Sequence, residues 1–212
     1  MPNWCSNGVT VSHSDPFKIK ALADAMLEGK FCNHVIPVPE DLQITAGYLG
    51  DEAAQKELER KTAENVEKYG YGNWYDFCVA KWGTKWDVDC HNVDVSEDGT
   101  TVDASFDSAW SPPMGIYEML VDLGFEVTAY YYEPGMGYVG KYVDGCDECY
   151  DYGGETSKTV RDVIGDELDD YFDISNSMAE YEEENEELDE LQEFLEEGAE
   201  VKGLTPPDPI KF

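Results

Sequence analysis

Residues 101–133 read TVDASFDSAWSPPMGIYEMLVDLGFEVTAYYYE, and they contain a whole strand–helix–strand unit. Thr101 to Trp110 alternates apolar and polar side chains, the period of a strand with one buried face. Ser111-Pro112-Pro113 ends it, because each proline removes a backbone donor. Met114 to Leu123 then places Ile116, Met119, Leu120 and Leu123 on one helical face. Gly124 has the position of a C′ glycine. Phe125 to Glu133 is a second strand, with an aromatic run at its end.

The same grammar extends outward. Upstream, Trp86 to Val95 reads as a strand joined to Thr101–Trp110 through Glu97-Asp98-Gly99, a hairpin signal. Downstream, Pro134-Gly135-Met136-Gly137 turns the chain into a further strand, Tyr138 to Val143. Near the start, Gly8 to His13 (GVTVSH) alternates as a short strand. Asp15-Pro16 opens a helix with a stripe of Phe17, Ile19, Leu22, Ala25 and Met26, and Gly29 closes it. Val35-Ile36-Pro37-Val38-Pro39 is an extended edge or loop, since the prolines bar it from a central strand.

Between these pieces lies helical sequence. Asp51 to Tyr69 is rich in good helix formers, with Glu57–Lys61 and Glu64–Lys68 at i,i+4 spacing. Gly70-Tyr71-Gly72 breaks it. Asn73 caps a shorter helix through Trp74, Phe77, Cys78 and Trp82, which Gly83 stops. With an insertion at about 40–85 removed, the order is βαββαβ. The expectation is an α+β protein, a ferredoxin-like antiparallel sheet over residues 1–143.

Composition shifts after Asp144. Residues 144–200 hold 23 acidic side chains against two basic ones, Lys158 and Arg161. One helix is expected from Thr159 to Phe172 and another from Ser177 to Glu197, with Leu188, Leu191 and Leu195 as a narrow stripe and Phe194 beside it. Residues 144–200 thus read as an acidic helical extension, and 201–212, with Pro206-Pro207-Asp208-Pro209, as a tail.

Charge restricts the partners. The 212 residues carry 47 Asp and Glu against 14 Lys and Arg, a net of −33. Nucleic-acid binding runs on Lys and Arg displacing counterions, so a direct nucleic-acid ligand is not expected. Anionic membrane surfaces are repelled as well. Basic proteins are attracted, although acidity also serves solubility alone. Met1-Pro2-Asn3-Trp4-Cys5-Ser6-Asn7 lacks a basic region followed by an apolar run, and no apolar run suits a membrane span. With six dispersed cysteines, a cytoplasmic location in a host cell is expected.

Several blocks together carry a resemblance. They are Met-Pro-Asn-Trp-Cys-Ser-Asn (1–7), Trp82-Gly83-Thr84-Lys85-Trp86-Asp87, Phe106 with Ala109-Trp110-Ser111-Pro112-Pro113, and Tyr132-Glu133-Pro134-Gly135-Met136-Gly137-Tyr138-Val139-Gly140. In this order and spacing they resemble the YubB-type ferredoxin-like domain family, found mainly in bacteriophages and plasmids. The resemblance covers roughly residues 1–143. It implies the ferredoxin-like fold and a mobile-element origin, and it brings no catalytic residue. The acidic segment lies outside it.

The same residues outline a candidate ligand pocket: Trp4, Trp82, Lys85, Trp86 and Trp110, with aromatic rings to stack on and one cation. The alternative is an aromatic corner that closes the sheet, with Asn3 and Asn7 satisfying indole N–H groups or capping turns. Cys146-Asp147-Glu148-Cys149 is a lone CxxC, whereas structural zinc takes four ligands. Cys90-His91, or Cys32 with His34, could supply the rest only by folding. Asp94 to Gly99 echoes a calcium loop, but position twelve is Ser105 rather than Glu. Phosphate-binding, metalloprotease and nucleophile-elbow motifs are absent, so no enzyme and no cofactor is expected.

The acidic helix is the most informative feature. Between Glu180 and Glu200 stand 12 acids and no base. At 1.5 Å per residue that is about one charge per 2.5 Å, against about one per 1.7 Å of duplex DNA. Glu182–Glu186 and Glu183–Glu187 repel at i,i+4, and Glu197 faces the negative end of the helix dipole. Such a helix needs a packed stripe or a cationic partner. The expected binding face is Glu182, Glu183, Glu186, Glu187, Asp189, Glu190, Glu193 and Glu197. The reading is a non-enzymatic phage accessory protein that binds a basic, nucleic-acid-binding host protein such as a defence nuclease, by mimicking DNA charge. Two alternatives stand beside it: a small-ligand or enzymatic site around the tryptophans, and an assembly role through an exposed edge strand after Gly137.

Overall fold

The computed structural model describes residues 3–202, with side chains as far as Leu188. Two compact units divide the chain, Met1–Asp151 and Tyr152–Phe212. The first is an α+β unit built on a six-stranded sheet of order β2-β3-β1-β4-β5-β6, every neighbouring pair antiparallel. The strands are β1 (Trp4–Ser12), β2 (Cys90–Val95), β3 (Thr101–Ala109), β4 (Glu126–Glu133), β5 (Tyr138–Val143) and β6 (Cys146–Asp151).

Alternation sets the register. In β1 the odd positions Cys5, Asn7, Val9 and Val11 are buried, opposite Ser108, Phe106, Ala104 and Val102 of β3. On the other side, Val9 and Val11 face Ala129 and Val127 of β4. A slip of one residue would turn this set to the outer face, forfeiting about 1.5–3 kcal/mol for each large apolar side chain. α1 (Pro16–Leu27), capped by Asp15, packs on β2 and β3. α2 (Phe31–Val35), α4 (Trp74–Lys81) and α5 (Met114–Asp122) complete the helical layer. The core between helices and sheet includes Ile19, Phe31, Phe77, Trp82, Phe106, Tyr117 and Leu120.

α3 (Glu52–Tyr69) starts at the Asp51 cap and ends at Gly70. It is tethered by Asp41, whose carboxylate accepts from Lys68 at 2.6 Å and Tyr69 at 2.8 Å. Lys68 therefore turns to Asp41 rather than to Glu64, which pairs with Arg60. Asn73 caps α4 by accepting from the backbone N–H groups of Tyr75 and Asp76.

Several expectations are corrected. Phe17, assigned to the buried stripe of α1, is 84% exposed. Val35 ends the short helix α2 instead of entering an extended segment. Trp86 to Asp89 is irregular, and only Cys90–Val95 is strand. The strand after Gly137 is not an edge, because β6 covers it. The free edges are β2, which carries a bulge between His91 and Asp94, and β6, whose Asp147, Glu148 and Asp151 discourage pairing. β6 also carries the first unit past 143 to Asp151.

The second unit holds α6 (Val160–Ile164), α7 (Asp166–Phe172) and α8 (Ile174–Lys202). The single helix expected over Thr159–Phe172 is split by Gly165, whose φ of 81° and ψ of 162° leave helical space. Among the described residues no helix is long and apolar enough to cross a membrane.

A close backbone crossing joins the helical insertion to α5. The Gly115 N–H donates to the Trp82 carbonyl at 3.1 Å. A Cβ on Gly115 would lie 2.1 Å from the Lys81 carbonyl oxygen. Gly115→Ala is expected to destabilise the first unit by about 2–3 kcal/mol through this overlap, read as a lower urea midpoint.

Candidate functional site

The blocks that carried the family resemblance meet at one end of the sheet. Thr84 Oγ1 donates to the Ala109 carbonyl and accepts the Ala109 N–H, both at 3.1 Å. Ser111 Oγ donates to the Gly83 carbonyl. Asn7, 3% exposed, donates from Nδ2 to the Cys5 carbonyl at 2.7 Å and Ser108 Oγ at 2.8 Å, while Oδ1 accepts from Tyr117 at 3.1 Å. Glu133 is buried and accepts the N–H groups of Gly135 and Met136, fixing the turn into β5. Asn7 thus knits β1, β3 and α5 together and does not serve an indole.

The five proposed pocket residues do not converge. Trp82 is a core residue, 4% exposed, with Nε1 donating to the Ile36 carbonyl at 2.9 Å. Trp110 is half exposed at φ 71°, an unusual conformation for a bulky residue. Its N–H donates to the Asn3 carbonyl and its own carbonyl accepts from Tyr138, which holds the corner ahead of Pro112 and Pro113. Trp110 does not line the cleft that its neighbours form.

Trp4 and Trp86 do come together, ring centroids 6.4 Å apart. With Ser6, Asp87, Asp89, His91, Asp107, Ala109 and Pro134 they line an open cleft of about 440 Å³. Lys85 Nζ stands over the Trp86 ring, 4.2 Å from its centroid, and 5.5 Å from that of Tyr75. The segment bearing Trp86 is pinned at both ends, by Thr84 on Ala109 and by Asp87. Asp87 caps α2, accepting the N–H groups of Cys32 at 2.7 Å and Asn33 at 2.9 Å. Asp89 and Asp107 were missed in the sequence because each lies in a stretch expected to be regular strand, while Asp87 was noted only within the block that carries the resemblance and His91 only beside Cys90 as a metal ligand. The spacing Asp87-Val88-Asp89-Cys90-His91 was the only signal.

Cys146 and Cys149 sit on the strand β6. Cys146 is paired with Val143 and Cys149 with Gly140, and a separation of three residues puts their side chains on opposite faces. They cannot share a metal ion. Among the described residues no three His, Cys, Asp or Glu are grouped to hold one. Burial pushes the thiols of Cys5, Cys78 and Cys90 up to about 12, with Asp87 adding to the effect at Cys78 and Cys90.

In the second unit, Asp169 is 2% exposed and accepts from Ser175 N–H at 2.7 Å and Oγ at 2.8 Å, with Arg161 Nε at 2.8 Å. This carboxylate fastens the start of α8 to α6 and α7. Along α8, Ile174, Met178, Glu182, Asn185 and Leu188 are buried or half-buried, and Glu180, Glu183, Glu184, Glu186 and Glu187 are exposed. Glu182 is therefore not a free contact. It accepts from Ser157 N–H at 2.8 Å and Oγ at 2.7 Å, bonds that hold its carboxyl below the usual range. Asp189, Glu190, Glu193 and Glu197 lie where only the backbone is described.

No protein-family model and no curated protein matches the chain. Among solved structures, the crystal structure of a protein api92 from Yersinia pseudotuberculosis, of the family model DUF1281, is similar at 12% identity and a TM-score of 0.36. The match covers 73% of this chain and 99% of that one. So distant a likeness decides neither fold nor activity.

Two outcomes are expected. Brief alkylation of the native protein near pH 8, followed by mass analysis, should label the exposed Cys146 and Cys149 and leave Cys5, Cys32 and Cys78 unmodified until the chain is unfolded. Because the Glu182 carboxyl is lowered on folding, its contribution is full above the unfolded value near 4.5 and disappears as pH falls through the folded one. Acid titration should loosen α8 at Ser157 in that window, seen as faster amide exchange at Ser157. Glu182→Gln should remove the pH dependence.

Proposed function

We propose that this chain is a non-enzymatic accessory protein of phage type that binds a basic, nucleic-acid-binding protein through the acidic face of α8. The observation that carries the reading is the division of that helix. Ile174, Met178, Glu182 and Asn185 turn inward, and Glu180, Glu183, Glu184 and Glu187 share the opposite, solvent-facing side. Carboxylates four apart repel one another, so the face is stabilised by a cationic partner. No basic residue interrupts it between Glu180 and Glu200. A host nuclease is the favoured partner, since its groove is built to neutralise closely spaced negative charge.

The first unit serves this reading as a ferredoxin-like scaffold of the YubB type. In support, β1 to β4 stand in the order β2-β3-β1-β4 with all neighbours antiparallel, and α1 and α5 follow β1 and β3. β5 and β6 then extend the sheet beyond β4. A small-ligand site remains the second reading, favoured by the cleft between Trp4 and Trp86.

The test is titration of the full chain against basic nucleases from about 50 to about 400 mM salt. Affinity should fall steeply with salt. Replacing Glu180, Glu183, Glu184 and Glu187 together by Gln should weaken binding by at least about tenfold. A specific complex whose affinity ignores both changes would end the proposal.

A further inference from the structure

The cleft between Trp4 and Trp86 has a composition that selects its ligand. Its walls carry two indoles, three aspartates and His91, and no Lys or Arg. An anion would meet a field of its own sign. A purely apolar ligand would strip water from carboxylates without pairing them. A cation with a flat, polarisable face meets complementary surface on both counts.

The carboxylates are not equivalent. Both oxygens of Asp87 are spent on backbone N–H groups, those of Cys32, Asn33 and Val88. Asp107 accepts from Ser6 Oγ at 2.9 Å through Oδ1. Asp89 is exposed and its Oδ1 stands beside Gly29, 2.7 Å from where a Cβ on that glycine would lie, and neither a hydrogen bond nor an ion pair engages its carboxylate among the described residues. Asp89 and the Oδ2 of Asp107 are the groups left to receive a donor. No three ligating side chains gather there for a metal ion, which leaves an organic cation.

Trp86 already behaves as a cation acceptor, since Lys85 Nζ rests 4.2 Å from its ring centroid. The site is also built before any ligand arrives. Trp4 opens β1 opposite Ala109, and Trp86 is held between the anchors at Thr84 and Asp87. Fixed rings lower the ordering cost of binding.

We infer that this cleft is a receptor for an arginine side chain presented by a basic polypeptide, the guanidinium stacking on the Trp4–Trp86 pair and forking onto Asp89. A guanidinium suits it better than an ammonium: it is planar, less strongly hydrated, and matches a carboxylate with two parallel donors. The open mouth of the cleft admits a side chain from another chain. This inference belongs to the first unit and stands whether or not α8 binds a nuclease.

The experiment is a titration of the full-length protein with acetyl-Gly-Arg-Gly-amide, followed by the indole N–H resonances of Trp4 and Trp86. The citrulline peptide supplies the same plane without charge, and the trimethyl-lysine peptide supplies charge without the plane. The expected result is saturable shifts at both indoles with the arginine peptide, at least about tenfold tighter than with either analogue. Asp89→Asn should weaken it by at least about fivefold. Glu97→Gln, which removes one exposed charge on the β2–β3 turn, should leave it unchanged and so discount attraction by net charge alone. Trp86→Phe should keep part of the affinity, a check that does not depend on a disruptive truncation. Equal binding of the citrulline peptide, tighter binding of trimethyl-lysine, indifference to Asp89→Asn, or no saturable shift would each overturn the assignment.

Discussion

The bond from the Gly115 N–H to the Trp82 carbonyl ties the helical insertion to α5. It requires two backbones to touch, and only a residue without Cβ permits that approach. On one side of the contact lies the helical insertion, ending in α4 and the buried indole of Trp82. On the other lies α5, which packs on β4. Once the crossing is made, Gly83, Thr84 and Ser111 fall into register, and Thr84 bonds the end of β3. The loop carrying Lys85 and Trp86 can then leave in one direction only.

The polar groups buried at that end of the sheet make the arrangement specific. Asn7 sits where a valine would serve the alternation of β1 equally well. Its amide instead reaches Cys5, Ser108 and Tyr117, one partner on each element that must meet there. A mispaired sheet would leave those groups buried without partners, an outcome disfavoured more strongly than the bonds themselves favour the native pairing. The same logic operates in the second unit, where Asp169 receives Arg161 and Ser175 together. In an acidic chain Asp169, like Asp87 and Glu133 in the first unit, is a structural carboxylate.

Much of the fold was legible. Prolines 112 and 113, Gly124 and the Glu97-Asp98-Gly99 turn mark boundaries through backbone stereochemistry, and β3, α5 and β4 lie within a residue or two of where those signals place them. β5 was found to the residue. β6 was not, because Cys146-Asp-Glu-Cys-Tyr-Asp has neither the apolar alternation nor the β-branched residues of a strand; it forms by extending the edge of β5. Phe17 shows the reverse error, an apolar residue on the right helical face that nevertheless stays in solvent. Periodicity gives a face its direction, but not how far the neighbouring strand reaches beneath it.

Amino-acid sequence alone determined the α+β class, the strand–helix–strand units and the concentration of acid after residue 144, because turn chemistry, period and charge are local properties. Tertiary structure decided which tryptophans are core and which are surface. Trp82 and Trp86 are four residues apart and equally aromatic, yet one indole is enclosed beside Ile36 and the other faces Trp4 across a cleft. That difference arises from the crossing at Gly115 and the anchoring of Asp87 on α2, contacts between segments distant in the chain. The solvent side of α8 was likewise settled by where Glu182 finds Ser157, since a helix acidic around most of its circumference carries no internal instruction about which face to bury.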